Sequence, residues 1–271
     1  MHPTVVWNLA SHITAFARGR VYDRPVLRLA PVLAIGCQHP IGDLDGAFYD
    51  GDGRAVHCAV NLDDSARNGL ASIDSALDRA AEREEVVELY AHDPGRTVPI
   101  DKIEHVLAGA AARGLQFFTY RDFVNNYVSG RGIALSFDDT YVYHWLDIAD
   151  LLAAHDARVT FFVSQFRDLG DERVRLLHRL ADAGHDIEAH SVRHEKAPLY
   201  VEERGVAAYL AEEAVPSIDA LAAAGFAAPV AYAYPYGART DELDDALLAH
   251  VSVLRSVVFS YEGVARSPCP H

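Results

Sequence analysis

From residue 55 onward, short β-branched or aromatic runs alternate with longer segments of helical periodicity, and a chain written this way has few folds open to it. The runs are "AVHCAV", "EVVELYA", "LQFFTY", "GIALSF", "RVTFFV", "HDIEA", "AYAY" and "VLRSVVF", of strand length and rich in side chains that suit a pleated surface. Between them lie "LASIDSALDRAAERE", "PIDKIEHVLAGAAARG", "WLDIADLLAAHD", "ERVRLLHRLADAG" and "RGVAAYLAEEAVPSIDALAAAG", whose apolar residues recur at helical spacing. Several close on Gly, the residue that ends helices most readily. Strands joined by crossover helices pair in parallel. The expected fold is therefore α/β, a single distorted (β/α) barrel of seven or eight strands. In such barrels the βα loops gather at the C-terminal strand ends, so chemistry is sought there.

No Ser/Gly- or Pro-rich linker and no low-complexity tract divides the chain, which predicts one domain over residues 1–271; residues 1–25 lack clear periodicity and stay unassigned. Lys and Arg total 24 against 39 Asp and Glu. The resulting net charge of -15 opposes nucleic acid and anionic membranes as partners. Cys37, Cys58 and Cys269 are far apart and lack C-x-x-C spacing, so neither a disulfide framework nor a thiolate zinc site is expected, and a reducing compartment is. There is no 18-residue apolar run, and "MHPTVVWNLASHITAFARGR" lacks a basic region followed by a continuous apolar stretch. The expectation is no signal peptide, no membrane span and a cytoplasmic location.

Two constellations fall at predicted strand ends. Asp138 and Asp139 follow "GIALSF" and precede a helical stretch, so they suit an N-cap as well as they suit chemistry. Two strands later, "HDIEAHSVRHEKA" supplies His190 and His194 at i, i+4. On a helical turn that spacing puts both imidazoles on one face, as in other metal-binding histidine pairs. Two neutral imidazoles and one carboxylate make a three-ligand site with positions open for water and substrate. Zinc would lower the pKa of such a water to about 7, and the second carboxylate beside it could then take the proton.

In this order "SFDD", "HSVRH" and "AYPYG" resemble motifs of the polysaccharide deacetylase family, the NodB-homology enzymes of carbohydrate esterase family 4, and "ARVTFFV" is similar to the family's second strand. The resemblance implies a NodB-like barrel that hydrolyses N-acetyl, sometimes O-acetyl, groups on sugars. It implies Asp138 as general base, Asp139, His190 and His194 as ligands of zinc or another divalent ion (cobalt, manganese or nickel), and a carbohydrate bearing acetamido groups as partner. It also implies that the backbone N–H of Tyr236 faces the oxyanion of the tetrahedral intermediate, where a fixed donor stabilises charge that develops only in the transition state.

The chain departs from the family twice. Where the third motif usually begins with Arg there is Ala233, and Arg255 in "VLRSVVF" on the next predicted strand is the candidate substitute; a surface or structural arginine is the alternative. The family's last units also come first. "HCAVNLDDS" resembles its Asp-bearing strand, and "EVVELYAHDPGRTVPIDKIEHVLAGAAARGLQFFTYRDF" its histidine strand with the following helix and closing strand. A circular permutation follows, with residues 45–130 as displaced last units and 131–262 carrying the first three motifs. On that reading His92 is the general acid, and Asp63, with Asp64 as fallback, orients it and raises its pKa; a solvated loop histidine before the "DPG" turn is the alternative. Tyr141, Trp145, Tyr232 and Tyr234 could stack on a sugar, but Trp145 and Tyr141 stand at core-packing spacing. Three competing functions remain at this level: a hydrolase of cyclic imides or ureides, a carbohydrate-binding relic without turnover, and a non-haem iron oxygenase.

Overall fold

The computed structural model describes residues 40–124, 128, 130–261, 264–266 and 269; the unassigned segment 1–25 lies outside the described residues. Seven parallel strands form a closed ring: β1 (Val56–Asn61), β2 (Val86–Ala91), β3 (Gly132–Asp139), β4 (Thr160–Val163), β5 (Asp186–Ala189), β6 (Ala231–Ala233) and β7 (Val253–Tyr261). Each pairs with the next in chain order, and β7 closes on β1 with Val56 opposite Leu254 through Val60 opposite Val258. The barrel expected from the alternation of strands and helices is the barrel observed.

Both faces of the staves are buried, so these strands read as continuous apolar runs rather than alternating ones. On β3, Ile133, Leu135 and Phe137 join the outer core beneath the helices, with Leu77, Trp145, Phe161 and Leu177. Ala134 faces the interior with Phe162, Ala231, Ala233 and Val253. Small residues line the interior because large ones must fit between them; Tyr120 and Phe123, on the short Tyr120–Val124 helix, pack against this inner cluster. Polar groups inside are satisfied in pairs, as burial demands. Glu88 accepts from Tyr120 Oη (2.9 Å) and lies 2.9 Å from His57 Nδ1, while Glu188 accepts from the Val230 and Ala231 N–H groups (2.8 and 2.9 Å).

Three expectations are corrected. "LQFFTY" is not an eighth stave: Gln116–Phe118 pairs only with Gly132–Ala134 at the start of β3, and β4 takes over that edge from Ser136. The run is cut short because the chain turns into the Tyr120–Val124 helix. The long stretch from Arg204 divides into Val206–Tyr209, a π-helical turn Leu210–Ala214 and Val215–Ala223, because Pro216 has no N–H to continue an α-helical ladder. Cys58 and Cys269, expected unpaired, form a disulfide with Cα atoms 6.0 Å apart. Cys58 points outward from β1 into the outer core where Cys269 also lies; a separation of 211 residues hid this neighbourhood from spacing rules. The compartment reading that rested on unpaired thiols loses its premise. Among the described residues no helix is long and apolar enough to cross a membrane.

Candidate active site

The C-terminal mouth of the barrel holds a cavity of about 830 Å³ whose lining includes His92, Asp138, Asp139, His190, His194, Tyr236 and Arg255. Asp63 stands directly behind His92, buried at 4% exposure. All eight residues singled out in the sequence thus meet at one end of the ring. The capping role of the aspartate pair is not realised. Both carboxylates belong to β3, and the next helix, Val142–Asp147, starts after Tyr141 with no side-chain cap.

Asp139, His190 and His194 converge. Asp139 Oδ1 is 3.7 Å from His190 Nε2 and 3.3 Å from His194 Nε2, and the two Nε2 atoms are 3.1 Å apart. Ligands bound at about 2.1 Å and a tetrahedral angle stand about 3.4 Å apart, so these spacings fit one divalent ion. The chemistry of the donors fits as well. His190 Nδ1–H donates to the Ala233 carbonyl (2.8 Å), which fixes the tautomer with a lone pair on Nε2. Burial pulls His190 down to about 3 and lowers His194 too, so both imidazoles are neutral. Burial and the adjacent Asp138 charge push the Asp139 carboxyl up, a strain that a bound cation relieves.

The expected helical turn for the histidine pair does not form. His190 and His194 sit in a loop whose Ser191 (φ 68) and His194 (φ 63) are left-handed, and the nearest helix begins only at Ala197. The loop folds back on itself through His194 N–H donating to Ser191 Oγ (2.9 Å). Glu213, on the π-turn, braces it by accepting from Arg193 N–H (2.8 Å). Asp139 (φ 84) and Tyr236 (φ 59) are left-handed too, so half of the eight such non-glycine residues among those described cluster here. Backbone held this way costs about 1–3 kcal/mol per residue and is typical of sites whose geometry the surroundings enforce. Gly237, next to Tyr236, must be glycine: at φ +63 a Cβ would meet Val257 Cγ2 at 2.3 Å and Val257 N at 2.9 Å.

Asp138 is held by Arg255, whose Nη2 donates to Asp138 Oδ2; both residues are nearly fully buried. Ala233 and Arg255 are paired in the β6–β7 register, so the cation missing from β6 enters at the same level from the next strand. The guanidinium lies 5.0 Å from the ring centres of both Tyr90 and Phe162, an arrangement that favours a planar cation. Asp138 Oδ1 has no hydrogen-bond partner among the described residues, so one oxygen is clamped and the other is available.

His92 Nδ1 is hydrogen-bonded to Asp63 Oδ2, and Asp63 Oδ1 accepts from His92 N–H (3.2 Å) and from Thr97 Oγ1 (2.8 Å). Burial works against a charge on His92. The Asp63 hydrogen bond and the Asp138 charge outweigh it and push the imidazole up to about 9. Asp63 is buried as well, yet the hydrogen bond and charge of His92 hold its carboxyl below the ordinary range. Asp64, the fallback, points elsewhere, to Lys102 Nζ at 2.6 Å. Trp145, Tyr232 and Tyr234 are core residues; the indole N–H of Trp145 donates to the His92 carbonyl (2.9 Å). Reading single residues missed Asn61, Tyr90 and Lys196, which also line the mouth. Asn61 and Tyr90 lie two residues before Asp63 and His92, so strand alternation would have found them once the pair was placed.

Residues 125–250 match the family model for polysaccharide deacetylase. That segment contains Asp138, Asp139, His190, His194 and Tyr236 but not Asp63, His92 or Arg255. Among solved structures the chain is similar to IcaB from Ammonifex degensii, with 16% identity, 66% of this chain and 87% of that one covered, and a TM-score of 0.53. It is similar to a de-N-acetylase from Aggregatibacter actinomycetemcomitans, with 13% identity, 63% and 86% covered, and a TM-score of 0.50. It is also similar to the deacetylase PplD of Streptococcus pyogenes, solved with acetate, with 17% identity, 64% and 92% covered, and a TM-score of 0.49. No curated protein matches the chain.

Proposed function

We propose, from the match of residues 125–250 to the polysaccharide deacetylase family model, that the chain is a metal-dependent hydrolase removing N-acetyl groups from a carbohydrate, with O-acetyl groups as a related substrate. The observation that carries this reading is the convergence on one barrel mouth of three neutral or anionic ligands, a clamped carboxylate and a carboxylate-backed imidazole. Asp139, His190 and His194 would hold one divalent ion. Zinc suits the donor set, and when bound it would polarise the acyl carbonyl and acidify a water.

The protein's own groups do the rest. Asp138 takes the proton of the attacking water at Oδ1, the oxygen Arg255 leaves free. Arg255 positions that carboxylate in place of the arginine absent from residue 233. The Tyr236 N–H, carried on the left-handed turn before Gly237, donates to the oxyanion. His92, protonated through Asp63, delivers a proton from Nε2 to the departing nitrogen. We further read the barrel of the described residues as permuted relative to the family. The hydrogen bonding of β7 to β1 and of β2 to β3 supports this, since the displaced units stand between β7, which directly follows the matched segment, and β3, the first strand within it.

Acetate release from chito-oligosaccharides by the metal-loaded protein tests the reading, with a cyclic imide as the competing substrate. Release that disappears in Asp138→Asn while bound metal is retained is the expected result. Imide hydrolysis without acetate release would overturn it in favour of the non-sugar C–N hydrolase.

A further inference from the structure

A residue behind the histidine–aspartate pair shares in its geometry. The chain leaves β2 through His92 and turns at once, Arg96 and Thr97 N–H both donating to the Asp93 carbonyl (3.0 and 2.9 Å). The turn brings Thr97 back beside Asp63, and the Thr97 carbonyl accepts from Asp64 N–H (2.9 Å). The Thr97 hydroxyl oxygen accepts from Asp93 N–H at 3.0 Å, so its own hydrogen is left for Asp63 Oδ1 at 2.8 Å; the competing Asp93 carbonyl is 3.5 Å away. Asp63 Oδ1 is thus fixed by the hydroxyl and by His92 N–H, and Oδ2 is turned to His92 Nδ1. The Asp63 backbone is pinned as well, its N–H donating to Asn61 Oδ1 (2.7 Å).

We propose that Thr97 is a positioning residue of the proton donor: its hydroxyl sets the rotation of the Asp63 carboxylate, and through it the tautomer and aim of His92. This rests on the reading of His92 as the acid. A carboxylate with one oxygen clamped cannot swing toward water, so Nδ1 keeps its proton and Nε2 is the atom presented to the cavity. The charged and titratable groups around His92 are Asp63 beyond β1, Asp138 and Asp139 on β3, His194 beyond β5, Arg255 on β7 and Tyr90 on its own strand. Thr97 touches only the first of these.

Three variants of the full chain test the idea. Thr97→Val keeps the shape and removes the hydroxyl; Thr97→Ser restores it; Thr97→Val with Asp63→Asn asks whether the effect runs through Asp63. The first readout is the His92 imidazole titration by NMR in metal-free protein, which does not depend on activity. Thr97→Val is expected to move that titration down by about one pH unit, with Thr97→Ser close to the parent and no further shift from Thr97→Val once Asp63 is Asn. In the metal-loaded enzyme the same variant should lose about tenfold in kcat with KM little changed, and its alkaline limb should fall to lower pH, within what a general acid is worth. An unmoved titration in Thr97→Val overturns the proposal. So does a shift that persists in the Asp63→Asn background. If Thr97→Val does not fold, Thr97→Ser decides alone: a titration unlike the parent's refutes the role of the hydroxyl. Should the parent release no acetate, the deacetylase reading fails while the titration still judges Thr97.

Discussion

Removing the guanidinium of Arg255 should damage the protein in two separable ways. Arg255 and Asp138 are 1% and 2% exposed and lie 117 residues apart in sequence, so their contact is a buried ion pair between distant staves. Deleting one member of such a pair leaves the other charge buried without compensation, which costs about 3–5 kcal/mol. For a chain of this size that lowers the melting temperature on the order of 10 °C. Arg255→Met retains much of the apolar stem against Tyr90 and Phe162, so the loss in that variant isolates the charge. The assay is paired thermal melts and acetate-release kinetics for Arg255→Met, Asp138→Asn and the double variant. Stability should recover partly in the double variant, because neutralising both partners removes the uncompensated charge. Turnover should stay abolished there and be strongly reduced in Arg255→Met alone. Since Ala233 and Arg255 are register partners, Ala233→Arg placed in the Arg255→Met background should return part of the turnover. An Arg255→Met protein with parental melting and parental turnover would refute the clamp.

Other expectations follow from the same mouth. His92 titrates at about 9 in the folded chain, above its ordinary value; its stabilising contribution is complete below pH 6.5 and disappears as pH rises through 9. In metal-free protein this amounts to about 3 kcal/mol at most, read by denaturant unfolding across that window, and His92→Gln should flatten the slope. Isothermal titration with zinc should give one site per chain, with His190→Ala and His194→Ala each losing at least about tenfold in affinity; parental affinity in both would remove the proposed ligand set. Reducing the Cys58–Cys269 bond should cost about 2–4 kcal/mol of stability. Melts with and without reductant check this, and Cys58→Ser should show no reductant effect.

The ring and the cluster of Asp139, His190 and His194 at its mouth were legible in the sequence because each is a local signal. A strand is a short run of residues, and Asp138, Asp139, His190 and His194 sit one or a few residues past such runs. What was illegible depends on how distant segments register against each other. That Arg255 stands level with Ala233 follows from the β6–β7 pairing, and the meeting of Cys58 with Cys269 is a contact across 211 residues. The helical spacing of His190 and His194 was an accident: a left-handed loop, braced by Glu213 from a remote π-turn, does what a helix turn was expected to do. Thr97 carried no signal at all, since a threonine after "DPGR" reads as an ordinary turn residue until the turn is folded back onto Asp63.

Every neighbouring pair of staves but one is joined directly by the chain, so most of the barrel can form from contacts made between consecutive units as they emerge. The exception is the β7–β1 seam, whose partners Val56 and Leu254 are separated by about 200 residues. Loop closure of that length is entropically costly and slow, which makes the seam the late event in folding. Asp139, His190 and His194 lie within a contiguous block of staves and can meet before it. Arg255 sits on the last stave, so Asp138 gains its clamp only when β7 comes home, and a half-built ring could gather Asp139, His190 and His194 while Asp138 still stands without its cation.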